Sequence, residues 1–308
     1  MQARVSPSFR GKIERYADDR TSVATLHGRP NLMKTMSTDT TLNGETRIIA
    51  VIGDPIAQVK SPANVTRMLH AKGRNVIVVP TQVATADFEL FMRGASLVKN
   101  LDGLIVTVPH KFAIFRHCAT TSERARLLGV VNTVRRNANG GWHGDMLDGL
   151  GFIAGITGAG CQPAGQHVLQ VGAGGAGTAI AAALLDAGVA TLAIHDQDPQ
   201  RRDALIATHR SRHGCKVQVG SSDPTGFSMI VNASPAGMKP ADPHPVILEK
   251  LTASMFVADV ITAPEVTPML AAARHLGCGT QTGIGMFNGV AERMVAFFLE
   301  DGALAKTG

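Results

Sequence analysis

The stretch HVLQVGAGGAGTAIAAALLDAGVATLAIHD, His167 to Asp196, decides how the rest of the chain is read. A short apolar run, His167–Val171, stops at Gly172, Gly174 and Gly177, which form the pattern G-x-G-x-x-G. An alanine- and leucine-rich segment at helical spacing opens at Ala176, and a second apolar run ends on Asp196. Strand, tight turn, helix and strand in that order make the opening half of a dinucleotide-binding unit. Glycines there permit the turn, let backbone approach a pyrophosphate, and let the helix pack closely on the strand, while the helix start offers free N–H groups and a partial positive charge. The glycine pattern alone is a weak signal; its place between an apolar strand and a helix gives it weight. Gly172, Ala173, Gly174, Gly175, Ala176 and Gly177 are therefore the expected cofactor loop.

Asp196 bears on which dinucleotide fits. It stands 24 residues beyond Gly172 (172 to 196), where a carboxylate accepts a hydrogen bond from a ribose 2′-hydroxyl and repels a 2′-phosphate. The reading favours NAD as cofactor. NADP stays open, because Arg201 and Arg202 follow about a turn downstream and offer a phosphate two guanidinium groups.

Outward from this stretch the same alternation continues in both directions. Toward the C-terminus come a helix over DPQRRDALIATHR and strands at KVQVG, MIVNAS and FVADVI. Toward the N-terminus a separate series runs from Thr46: strand RIIAVIG, helix SPANVTRMLHAKG with Ser61 as N-cap and Pro62 at the first helical position, and strand NVIVVPTQV. A helix around ADFELFMRGAS, strand GLIVTVP, a helix beginning near Lys111, and a hairpin over VVNTVRRNANGGWHGD complete it. Alternating strands and helices predict mostly parallel sheets, and two such series predict an α/β chain of two lobes. The glycine-rich GDMLDGLGF, 144–152, is the expected joint, with substrate in the cleft beside it.

Bulk properties exclude several classes. The chain has 308 residues, 44% of them apolar and 18% charged, as in a folded globular protein. Its longest apolar run, 179–194, is broken by Asp186 and Gly188 before the roughly 18 residues a bilayer span requires. A formal charge of +6 is spread thinly, with no basic stripe for nucleic acid, so a small anionic ligand is the expected partner. Cys118, Cys161, Cys215 and Cys278 are scattered without zinc or disulfide spacing, so no metal is expected and a reducing cytoplasm is the simplest home. Residues 1–44 read as a flexible extension. They lack the apolar core of a signal peptide, Glu14, Asp18 and Asp19 argue against a transit peptide, and Met33 and Met36 stand as alternative starts.

Seven motifs, GDPIAQVKSP, VTVPHK, VVNT, GDMLDGLGF, VGAGGAG, VNASPAGM and GIGMFNGVAERMVAFF, resemble in order and spacing those of the shikimate dehydrogenase family, including its quinate/shikimate branch. The likeness runs from about Arg47 to Phe298. It implies a substrate-binding domain over 45–148 completed by 284–308, a Rossmann domain over 149–283, and a C-terminal helix that returns to the first domain. It also implies a small cyclic hydroxy acid as substrate, in a monomer or a homodimer without nucleic acid or membrane partners. By this resemblance Lys111 and Asp148 are the catalytic pair, and Ser61, Thr107 and Asn132 touch substrate. Asn232, Ala233 and Ser234 lie toward the nicotinamide, and Gly283 and Met286 begin the returning helix beside it. An amine next to a carboxylate suits the task, because a hydride leaving a ring carbinol must be matched by loss of the hydroxyl proton.

Departures from the family pattern fall on the substrate side. Val59 replaces a usual serine, Ile105 an asparagine, Thr262 a tyrosine and Val290 a glutamine, while Met146 and Leu147 stand for asparagine and threonine. Each lost hydrogen bond costs about 0.5–1.5 kcal/mol, so several together change the preferred substrate unless compensated. An apolar wall of Val59, Ile105 and Val290 implies a less hydroxylated or differently substituted ring. The competing expectation is a non-catalytic relative that senses such a metabolite; a sensor has no need of Lys111 beside Asp148.

Overall fold

A computed structural model describes residues 42–210 and 216–305, all within one compact unit, Thr41–Gly308. The N-terminal extension up to residue 41, the cysteine at 215 and the last three residues lie outside the described part.

The chain builds two sheets in succession. The first half contains β1 (Arg47–Gly53), α1 (Ser61–His70), β2 (Val76–Gln82), α2 (Phe88–Leu97), β3 (Leu101–Val106), β4 (Thr120–Thr121), α3 (Glu123–Leu128), β5 (Thr133–Arg136) and β6 (Trp142–Asp145). These strands form one sheet in the order β2-β1-β3-β5-β6-β4. Its β1, β2 and β3 are parallel, and β5 joins β3 and β6 antiparallel, which makes the expected hairpin.

The second half contains α4 (Asp148–Gly158), β7 (His167–Val171), α5 (Gly175–Asp186), β8 (Thr191–His195), α6 (Pro199–Arg210), β9 (Lys216–Val219), β10 (Met229–Asn232), β11 (Phe256–Asp259), α7 (Pro268–His275), β12 (Gly279–Gln281) and α8 (Gly283–Phe298). The second sheet is wholly parallel, in the order β12-β11-β10-β7-β8-β9. Successive strands are added outward in one direction from β7 and in the other from β10, which is the doubly wound Rossmann order. Strands buried on both faces explain its apolar runs: Leu169, Ala193, Ile230 and Val257 pack on one side, Val168, Leu192, Ile194 and Val231 on the other.

Two helices tie the sheets together. In α4, Gly149 meets Ala183 and the Ala179 carbonyl of α5, and Gly151 meets Val290 of α8, so side chains at either glycine would collide with the neighbouring helix. Helix α8 then returns to the first sheet, where the Phe298 ring fills the space beside Gly103 of β3. Arg135 of β5 fixes the end of that helix by donating to the Phe297 carbonyl at 3.1 Å and pairing with Glu300 at 2.5 Å.

Two local expectations are corrected. The segment after Pro109 is a series of turns leading to a short 3₁₀ helix, Ile114–His117, instead of a helix near Lys111. The Lys111 carbonyl accepts from Val131 N–H at 2.9 Å, outside its own segment, in place of a helical bond. Ser61 is the first helical residue of α1, not its cap; Lys60 holds the cap position without a side-chain hydrogen bond.

Candidate active site

Thr107, Lys111, Asn132 and Asp148 gather where β3 and β6 end and β5 begins. Strand β3 delivers Thr107, whose N–H continues the ladder to the Ile52 carbonyl at 2.9 Å, and the chain then turns through Pro109 and His110 to Lys111. His110 anchors the turn: it is buried, bonds the Val83 carbonyl through Nε2 at 2.6 Å, and stacks on Phe88 at 4.7 Å. With His110 fixed inward, Lys111 faces the other way.

Lys111 Nζ donates to Asp148 Oδ2 at 2.5 Å, in a pair whose side chains are 12% and 8% exposed. The other carboxylate oxygen, Oδ1, accepts from Asn132 Nδ2 at 2.6 Å. Asn132 is itself held on all sides. Its backbone bridges Val106 and Asp145, and its Oδ1 accepts from Leu147 N and Thr133 Oγ1. Asp148 opens α4, where the free N–H groups of a helix start favour a carboxylate. Lys111 Nζ is thus buried beside a carboxylate fixed at both oxygens, an arrangement in which Nζ can take up a proton as the free amine and give it back as the ammonium.

The pair lies against the second sheet's glycine loop. Lys111 Cβ and Cδ sit 3.2 and 3.1 Å from where a side chain on Gly175 would begin. Gly172 has a φ of 108°, accessible at little cost only to glycine, and a side chain there would meet the Ala233 carbonyl carbon at 2.6 Å. Gly174 faces open space instead, with nothing within 4 Å of its missing side chain. A loop pressed against Ala233 on one side and open above Gly174 fits a dinucleotide's pyrophosphate.

Asp196, directly after β8, accepts from Ala173 N at 2.7 Å and pairs with Arg201 at 3.1 Å. Arg201 reaches Asp198 as well, whereas Arg202 turns to Asp203. On the opposite side, Asn232 ends β10 and Ala233 and Ser234 follow it, and the Ser234 hydroxyl donates to Asn232 Oδ1 at 2.7 Å. Gly283 begins α8 packed against the carbonyls of Val260 and Ile261, with Met286 buried one turn further on.

The remaining substrate-side positions lie less uniformly. Ser61 is buried at the start of α1, and Thr262 is half-buried after β11. Ile105 and Val290 are each 4% exposed within one hydrophobic cluster, against which the partly buried Val59 packs. The apolar substitutions Ile105 and Val290 thus belong to the large core cluster, with Val59 packed on it.

Asp259, at the end of β11, escapes sequence reasoning. It is fully buried and accepts from Thr267 Oγ1 at 2.8 Å, Ile261 N at 3.0 Å and Asn232 Nδ2 at 3.2 Å. Burial pushes its carboxyl up to about 6 against the pull of those donors. It joins the turn at 232–236 to the carbonyls under Gly283. A lone Asp in the apolar FVADVI was the available signal.

Comparison with known proteins follows the same lines. Residues 51–134 match the family model for the shikimate dehydrogenase substrate binding domain. A curated NADP(+) shikimate dehydrogenase from Acidiphilium cryptum is 35% identical over 246 residues, 80% of this chain and 87% of its own length. Among solved structures, quinate dehydrogenase from Corynebacterium glutamicum in complex with NAD is 32% identical with a TM-score of 0.73, covering 82% of this chain and 93% of that one. A ligand-free 5-ketofructose reductase from a Gluconobacter strain is 30% identical with a TM-score of 0.72, covering 84% and 95%.

Proposed function

The chain belongs to the shikimate dehydrogenase family, and we propose that it is an NAD(P)-dependent dehydrogenase interconverting a ring carbinol and its ketone on shikimate, quinate or a related cyclic hydroxy acid. The observation that carries this reading is the buried Lys111–Asp148 pair lying directly against Gly175 of the glycine loop. Residues 45–148 with 284–308 serve the substrate, and 149–283 the dinucleotide.

When bound, the nicotinamide accepts or supplies the hydride. Gly172, Ala173, Gly174, Gly175, Ala176 and Gly177 hold the pyrophosphate, Asp196 the adenosine ribose, and Asn232, Ala233, Ser234, Gly283 and Met286 the nicotinamide side. The chain's own chemistry is proton transfer. Lys111 Nζ, as the free amine, takes the hydroxyl proton as the carbinol is oxidised and becomes the ammonium, which returns that proton in the opposite direction. Asp148 Oδ2 stabilises the ammonium, and Asn132 keeps the carboxylate from rotating away. Positioned proton transfer of this kind contributes about 10²–10⁴-fold in rate. Ser61, Thr107 and Asn132 supply polar contacts to substrate, while Val59, Ile105, Thr262 and Val290 set its specificity.

NAD is placed ahead of NADP because the Asp196 carboxylate opposes a 2′-phosphate. The curated relatives are NADP(+) enzymes by name, so this preference rests on Asp196, and Arg201 is the group that can offset it. A cytoplasmic setting accords with the free thiols of Cys118, Cys161 and Cys278. A second substrate class is favoured by the apolar character of Val59, Ile105 and Val290 together with the likeness to a 5-ketofructose reductase, which suits a ring or ketose without a carboxylate.

A panel of shikimate, quinate, their deoxygenated and aminated analogues, and ketoses, assayed with both dinucleotides, tests the reading. Turnover of at least one compound that depends on added cofactor is the expected result. Cofactor binding without turnover of any of them would replace the enzyme with a metabolite sensor.

A further inference from the structure

We propose that Gln170 is a positioning residue for the cofactor, its side-chain amide clamping the two ends of the glycine-rich loop in the conformation that binds the dinucleotide. The inference rests on reading that loop as the dinucleotide site. Gln170 lies in β7, two residues before Gly172, and is fully buried. Its Nε2 donates to the carbonyls of Gly172 and Gly177, each at 2.9 Å. Those carbonyls belong to the end of the strand and the first turn of α5, the two points the loop connects. They also mark its narrowest crossing, since a side chain on Gly177 would run into the Gly172 carbonyl. One donor drawn to both fixes two peptide planes and so removes backbone freedom that would otherwise be lost on binding.

The far end of the same amide argues against a role in stability alone. Gln170 Oε1 is buried, and no donor among the described residues reaches it. An unpaired buried acceptor weakens folding, and Val168, two residues earlier on the same face of β7, packs in an apolar cluster, so an apolar side chain is well accommodated on this face. Gln170 therefore loses stability through Oε1 and orders the loop through Nε2. Replacing it with an apolar side chain of the same shape has opposite effects on the two properties.

Gln170→Met keeps length and volume and removes the donor. The expected result is a rise of roughly tenfold in the Kd of NADH or NADPH, read by titration calorimetry, as a loop left unordered before binding implies. Substrate KM and kcat at saturating cofactor should stay within about twofold, and the Tm should equal or exceed that of the wild type. A Kd equal to the wild type's overturns the clamp while leaving the loop as the cofactor site. A lowered Tm accompanying weaker binding makes Gln170 structural and also overturns it. Wild-type protein that binds neither dinucleotide sinks the underlying reading and the clamp with it. A measurement independent of any variant is hydrogen exchange of the Gln170 side-chain amide in the wild type. Slow exchange is expected, and exchange at the rate of an exposed glutamine overturns the proposal.

Discussion

Lys111 is constrained along its whole length: its carbonyl by Val131, its stem by Gly175, and its ammonium by Asp148. Such a side chain gains little by ordering further when substrate arrives. Asn132 supplies the restraint on Asp148, so Asn132→Ala should lower kcat by about tenfold with the cofactor KM unchanged in steady-state assays. Arg201→Ala should lower NADP use relative to NAD by about tenfold, because a charge-assisted contact to a 2′-phosphate is lost while Asp196 remains; kcat/KM with each dinucleotide checks it. Asp259 gives a pH prediction. Its folded pKa is raised from 3.8 to about 6, so its contribution to stability is fully present below pH 3.8 and is lost as pH rises through about 6. Asp259→Asn removes that titration, and its stability relative to wild type should improve by roughly 3 kcal/mol between pH 3.5 and 7, measured by paired thermal melts. At this scale the sequence displays Lys111 and Asp148 through matched motifs. It hides Asp259, whose partners at 232, 261 and 267 are brought together only by the fold.

Helix α4 illustrates why elements are unevenly visible. Its sequence, DGLGFIAGITG, contains four glycines, each costing about 1 kcal/mol against alanine in a helix. Read alone it is a flexible joint. In the fold, Gly149 lets α5 and Gly151 lets α8 approach, and packing outweighs propensity. Gly151→Ala should therefore destabilise the protein by about 1–3 kcal/mol through overpacking against Val290, although alanine is the better helix former; a fall in Tm checks it, and a rise would show that α8 yields freely. The strand and glycine turn at 167–177 were legible because the period and the turn residues agree. The turns after Pro109 were not, since the bond from Val131 to the Lys111 carbonyl is contributed from 20 residues away (111 to 131). Strand β12 has three residues, too few for any period to register.

Across the whole molecule, the two α/β series could be counted along the chain, but not their strand orders or the return of α8. Those depend on contacts such as Phe298 against Gly103 and Val290 against Gly151, whose partners lie more than 130 residues apart in sequence (298 − 103 = 195; 290 − 151 = 139). The fold brings the C-terminal ends of β3 and β7 together, so that a proton-transferring pair built by one sheet meets a cofactor loop built by the other. The most direct test of this account is the rate of nicotinamide reduction in a single turnover, comparing wild type with Lys111→Ala on the best substrate of the panel. The account predicts a rate lowered by about 10²-fold or more with the dinucleotide Kd nearly unchanged. An unchanged rate would remove Lys111 from the chemistry and contradict the mechanism.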